Sequence, residues 1–105
     1  MNLAELQEYV AGFVAENRLE TDAASRLLDL LSELGEVAKE VLKGSQYGKA
    51  VFEPTPAWTE EVGDALFSLV CLANTTGVNL ETALDVVLEK YAGRLSDSGE
   101  AGSGR

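Results

Sequence analysis

Apolar residues recur along this chain at helical spacing, and no segment alternates as a surface strand would. Leu3, Leu6, Val10, Phe13 and Val14 share one face of a first predicted helix over about residues 3–17. A second begins behind Thr21 or Asp22, both natural N-caps, and runs to Lys43, where Gly44 stops it. A third starts near Pro56, a residue favoured in the first helical turn, and reaches about Thr76 ahead of Gly77. Asn79 caps a fourth, whose apolar face is Leu80, Leu84, Val87, Leu88, Tyr91 and Leu95. Four amphipathic helices within residues 1–95 predict an all-α domain, a four-helix bundle. Residues 96–105 are mostly Gly, Ser and acid, too poor in apolar side chains to pack, and are expected to form a disordered tail.

The connections add to this picture. Short turns join helices one and two, and three and four, as antiparallel hairpins. The connection between helices two and three spans residues 44–55, long for a compact domain and of the kind that carries function. Its aromatics, Tyr47 and Phe52, with Trp58 just beyond, either cover a ligand or close the end of the bundle. The third helix is apolar round most of its circumference (Val62, Leu66, Phe67, Leu69, Val70, Leu72) and needs cover on more than one side. A chain of 105 residues supplies one thin core. The bundle is therefore expected to be completed by subunit association, as a homodimer or homotetramer.

Composition narrows the function classes. Eighteen acids against eight bases give a net charge of −10, which disfavours nucleic acid and anionic membranes as partners. The absence of His and the single Cys exclude the usual zinc sites and any intrachain disulfide. No apolar run approaches the ~20 residues of a membrane span, and the first residues lack a basic signal region, so the expected location is the cytoplasm. An anionic ligand would need a metal ion or a local basic cluster to bind here.

The acids are not scattered. Asp29, Glu33, Glu36 and Glu40 step by 4, 3 and 4 residues and form one stripe on the second helix. Glu61 and Asp64, three apart, sit with Ser68 and Thr75 on a narrow polar strip of the third. The two sites repeat one another: Glu33-Leu34-Gly35-Glu36 returns 28 residues later as Glu61-Val62-Gly63-Asp64. A mid-helix Gly costs up to about 1 kcal/mol relative to Ala. One in each acidic motif suggests two facing helices that approach closely and bring four carboxylates together. Such a group cannot remain fully ionised without a cation. With oxygen donors alone, the matching ion is hard: Mg²⁺, or Mn²⁺ in its place. The absence of any Glu-x-x-His excludes the ferritin-like di-iron variant.

The pattern Glu33-x-x-Glu36, then 24 residues, then Glu61-x-x-Asp64 resembles the MazG-like all-α nucleoside triphosphate pyrophosphohydrolases. The likeness extends through residues 31–39 and 61–69, the turn Leu72-Ala73-Asn74 to Gly77-Val78-Asn79-Leu80-Glu81, and Lys90-Tyr91 with Arg94. Family members often carry a second Glu just before the first motif acid; Ser32 stands there in this chain. The resemblance implies hydrolysis of a nucleoside triphosphate to the monophosphate and pyrophosphate. It implies Mg²⁺ held by Glu33, Glu36, Glu61 and Asp64, with Glu33 or Glu36 as general base. Asn79, Lys90 and Arg94 share a flank of the fourth helix, and with Trp58 they are the candidate substrate-binding residues. The two cations would grip phosphates, or would simply sit favourably at a helix C-terminus. Two other functions fit less well. A phosphoribosyl-ATP pyrophosphatase has similar acidic helices but typically a His after the second motif. A non-catalytic module would use the acidic stripe only to bind cations or partner helices.

Overall fold

The computed structural model describes residues 1–98. Helices α1 (Leu3–Glu16), α2 (Ala23–Gly44), α3 (Trp58–Thr75) and α4 (Leu80–Ser98) account for nearly all of them, and there is no strand among the described residues. Three starts carry side-chain caps. Asn2 Oδ1 accepts from the Glu5 amide at 2.8 Å, Asp22 Oδ1 from Ser25 at 2.8 Å and Asn79 Oδ1 from Thr82 at 3.0 Å. The Asp22 bond also holds that carboxyl below its ordinary pKa, because the amide donates to the charged form.

Two predicted boundaries move. α3 begins at Trp58, not near Pro56, and its N-cap, Ala57, has no side-chain bond. Pro56 and Ala57 form the turn before it, and the neighbouring Thr55 hydroxyl, a natural cap, is engaged by Glu40 instead. At the other end, residues 96–98 are helical rather than the start of a tail. Extending a formed helix adds a hydrogen bond for each residue fixed, so polar residues suffice there. The rest of the expected tail, residues 99–105, lies outside the described residues.

The helices do not close into a compact bundle within one chain. α2 and α3 pack along most of their lengths, α1 lies against the second half of α3, and α4 leans mainly on α1. Val10, Val70 and Cys71 form the buried centre, flanked by Leu6, Val14, Phe67 and Leu80. Phe13 meets Phe67 edge-on with ring centroids 6.1 Å apart. The buried Gln7 ties α1 to the α3–α4 turn. Its Nε2 donates to Asn74 Oδ1 and the Val78 carbonyl, its Oε1 accepts from the Leu80 amide, and Asn74 Nδ2 returns a bond to its carbonyl. Every polar atom of that side chain is thereby satisfied, as burial requires.

The radius of gyration is 16.8 Å, against about 13 Å for a compact domain of this length. Large apolar side chains stay wet in consequence: Leu28, Leu31 and Leu34 on α2, and Val86, Leu88 and Leu95 on α4. No described helix is long and apolar enough to cross a membrane.

The connection after α2 folds back on its end. Phe52 packs over Gly44 and against Trp58, its ring centroid 5.0 Å from that of the indole, while the Glu53 amide donates to the Gly44 carbonyl at 3.0 Å. These two aromatics close the end of the α2–α3 pair; Tyr47 stays exposed. A Cβ at Gly44 would lie 2.7 Å from Phe52 Cε1 and closer still to the Glu53 carbonyl oxygen. Gly44→Ala is therefore expected to cost about 1–3 kcal/mol in urea unfolding, because backbone must shift to admit the methyl. The mid-helix glycines behave differently. A Cβ at Gly35 or Gly63 would meet nothing within 4 Å, so neither serves a close approach of α2 to α3. Both positions are exposed, on the outer faces of their helices.

Candidate metal centre

Facing turns of α2 and α3 bring Glu33, Glu61 and Asp64 together, each offering a carboxylate oxygen within 4.8 Å of the others. Glu33 and Glu61 are half-buried and Asp64 is exposed, so the cluster opens to solvent on the Asp64 side. Glu36 lies one turn beyond Glu33 on α2 and outside this tight set. It is paired instead with Lys39 at 4.0 Å, an exposed contact worth little. The structure thus groups three of the four expected ligands, with Glu36 near enough to act on them through its charge.

Glu61 carries the electrostatic signature. Burial pushes its pKa above the ordinary value, and the charges of Asp64, Glu36, Glu33 and Glu40 push it in the same direction. The folded chain therefore holds a proton on Glu61 more tightly than the unfolded chain does. For the metal-free protein this contributes stability at low pH, lost as pH rises through the folded-state pKa. Cation binding has the opposite preference, since the ligand must be deprotonated. Divalent-metal affinity is expected to fall on acidification starting above the ordinary glutamate range. Mn²⁺ titrations between pH 5 and 8 (roughly the span over which an unperturbed Glu stays ionised) would check this. A flat affinity across that span would contradict it.

A hard divalent cation fits these residues. All the donors are carboxylate oxygens, and their spread of up to 4.8 Å is somewhat wider than the ~4.2 Å between opposite ligands of an octahedral Mg²⁺, so the side chains would draw in slightly on such an ion. Among the described residues no imidazole or thiolate adjoins them to favour a softer ion.

The stripe on α2 continues into a second, dissimilar site. Glu40 is buried, accepts from the Thr55 hydroxyl at 2.5 Å and pairs with Lys43 at 3.4 Å. The Thr55 bond is the main reason its pKa lies below the ordinary value, in contrast to Glu61. Through Thr55, six residues before Glu61, Glu40 thus ties the segment that leads into α3 to α2. Thr55 was not singled out by pattern; a hydroxyl-bearing residue just before a helix start reads as a cap.

The proposed phosphate-gripping residues lie elsewhere. Lys90 Nζ and the Arg94 guanidinium stand 5.3 and 5.9 Å from the centre of the Tyr91 ring, on a helix that leans on α1 rather than α2. Asn79 is the cap of that helix. Trp58, in the first turn of α3 and one turn before Glu61, is half-buried under Phe52.

Residues 22–97 match the MazG nucleotide pyrophosphohydrolase domain, well over half of the chain. The chain belongs to this family. The MazG match takes in α2, α3 and α4, and so all the acids described above. Among individual proteins, the uncharacterized protein YpjD of Bacillus subtilis (strain 168) is 45% identical over 71 residues, 65% of this chain. The aligned stretch spans 62% of YpjD's own length. Two solved structures share the fold. The Bacillus-conserved MazG protein, a nucleotide pyrophosphohydrolase, superposes with a TM-score of 0.73 at 28% identity, covering 87% of this chain and 89% of that one. The YpjD structure from Bacillus subtilis gives 0.71 at 34% identity, with 87% and 93% covered. MazG-fold neighbours of such extent establish the all-α architecture for nearly the whole chain.

Proposed function

We propose that this MazG-family chain is a nucleoside triphosphate pyrophosphohydrolase that cleaves an NTP or dNTP to the monophosphate and pyrophosphate. The observation that carries the reading is the convergence of Glu33, Glu61 and Asp64 on one point, on two helices of a MazG domain. Glu33, Glu61 and Asp64, with Glu36 reaching in from the next turn, would hold Mg²⁺ or Mn²⁺. Such an ion supplies phosphate-oxygen binding, charge neutralisation and an acidified water. Glu33 or Glu36 accepts the proton from the attacking water. The water oxygen bonds to the α-phosphorus, the bond to the bridging oxygen breaks, and pyrophosphate leaves with that electron pair.

The same reading covers partners and location. The net charge of −10 turns away free polyphosphate, which makes the cation and the Lys90–Arg94 pair necessary to hold the substrate. Because α4 leans on α1, those two residues are best placed to reach the carboxylates of a second copy in a homodimer or homotetramer. Asn79, at the start of the same helix, and Trp58, beside Glu61, complete the proposed substrate contacts. The acidity argues against nucleic acid as a partner and fits a cytoplasmic enzyme.

The deciding experiment incubates purified protein with Mg²⁺ and a panel of NTPs, dNTPs and phosphoribosyl-ATP, scored for pyrophosphate. Release from one or more nucleoside triphosphates, dependent on added metal, is the expected result. Release from phosphoribosyl-ATP alone would reassign the substrate. No release from any would leave a cation-binding helical module.

A further inference from the structure

The carboxylates occupy only the middle of the seam between α2 and α3. Seven residues before Glu33 on α2 stands Arg26, and seven residues after Asp64 on α3 stands Cys71. Seven residues are two helical turns to within about 20°, and about 10.5 Å of rise. Arg26 and Cys71 therefore lie on the same seam as the acids, about 10 Å further along, where the antiparallel helices bring them together. At that point the structure has a cleft of about 370 Å³ between α1, the α1–α2 turn and α3. The size falls in the range of small-molecule sites, about 300–1,000 Å³.

The lining is divided by chemistry. Ala11, Val14 and Ala15 of α1 give it a small-residue apolar wall, with Cys71, Thr75 and Arg26 opposite. Arg26 is 8% exposed, and it is bonded through Nη2 to the Leu19 carbonyl at 2.5 Å. Its Nε is buried and has no hydrogen-bond partner, which is costly for a charged donor. A guanidinium offers donors and no acceptor, so its complement is an acceptor such as a carbonyl oxygen. Phosphate is a poor candidate. Glu20 also lines the cleft, and the charge of Asp29 is felt at Cys71.

We propose that this cleft receives the nucleoside end of the substrate, with Arg26 contacting a carbonyl oxygen of the base. The inference rests on the pyrophosphohydrolase reading for its ligand class. It adds a location for the base and the residue that selects among bases. With phosphates held through the cation that Glu33, Glu61 and Asp64 would bind, the substrate lies along the seam, its flat apolar faces against Ala11, Val14 and Ala15. Bases with a carbonyl where Arg26 reaches are favoured. A base with an amino group there meets donor against donor, a mismatch that polar sites reject strongly.

Inosine and adenosine, which differ at that edge as carbonyl against amine, test this without phosphate or metal. Ligand-observed NMR of the wild-type protein in chelator is expected to show inosine binding more tightly than adenosine. Ala15→Phe, which fills the cleft from an exposed position, should weaken inosine at least about tenfold. Its melting temperature and Mn²⁺ affinity should stay at wild-type values. Arg26→Gln should reduce the preference for inosine over adenosine. If Arg26→Gln does not fold, Ala15→Phe alone decides. Unchanged inosine binding in Ala15→Phe, or equal binding of both nucleosides by the wild type, would overturn the proposal. The enzyme reading is judged separately, by pyrophosphate release. A chain that binds inosine in the cleft yet hydrolyses nothing keeps this site and loses that reading.

Discussion

Asp64→Asn is expected to lower metal-dependent pyrophosphate release by at least about a hundredfold while leaving the helices in place. The side chain keeps its shape and loses the charge that would hold the cation. In the metal-free protein that charge is a liability, since Asp64 contributes the largest repulsion among the charges that raise the Glu61 pKa. Thermal unfolding in chelator should therefore show the variant equal to wild type or slightly more stable. Glu36→Gln should act in the same direction. It removes another of the charges that raise Glu61, and the candidate base or fourth ligand with it. A lower melting temperature with unchanged activity in both variants would make these carboxylates structural. The two readouts move in opposite directions only if the acids are held together for a cation.

Complementation between two inactive variants is the second large effect expected. If the cations of α4 serve the carboxylates of another copy, Asp64→Asn and a Lys90→Ala/Arg94→Ala double variant are each inactive alone. Mixed and reassembled, they should recover roughly a quarter to a half of wild-type activity, as twofold pairing of intact half-sites allows. Light scattering should show a dimer or larger. The association should tighten with salt, because screening relieves repulsion between chains of net charge −10 while the contact itself is apolar. The exposed Leu28, Leu31 and Leu34 of α2 and Val86, Leu88 and Leu95 of α4 are the side chains such a contact would cover. An active monomer of 11.2 kDa in both low and high salt would refute the shared site.

Much of the candidate site is legible in the sequence. Glu33, Glu61 and Asp64 stand out because acids at three- and four-residue steps fall on one helical face, and because two such motifs repeat in an otherwise apolar context. Glu36 belongs to the same pattern but sits a turn outside the tight set. Spacing specifies a face of α2, whereas which turn meets α3 depends on how the helices are fastened. Part of that fastening is the bond from Thr55 to Glu40, between residues fifteen apart, and the rest is the packing of α2 along α3. The glycines misled for a related reason. Gly35 and Gly63 look like contact points in sequence, but the close approach is at Gly44, where Phe52 and the Glu53 carbonyl fold over it.

By itself the sequence determined the four helices, their caps at Asn2, Asp22 and Asn79, and the oxygen-only character of the carboxylate cluster. These depend on local periodicity, on side chains bonding amides three residues on, and on the absence of His. Only the tertiary structure decided which three carboxylates meet, that burial and neighbouring acids raise Glu61, and that Glu40 is drawn down by Thr55. It also decided that α4 leans mainly on α1, and that a cleft lies beside Arg26. Those facts depend on contacts between residues far apart in the chain. Helical phase places a residue on a face, but the distance between two faces is set by everything packed between them.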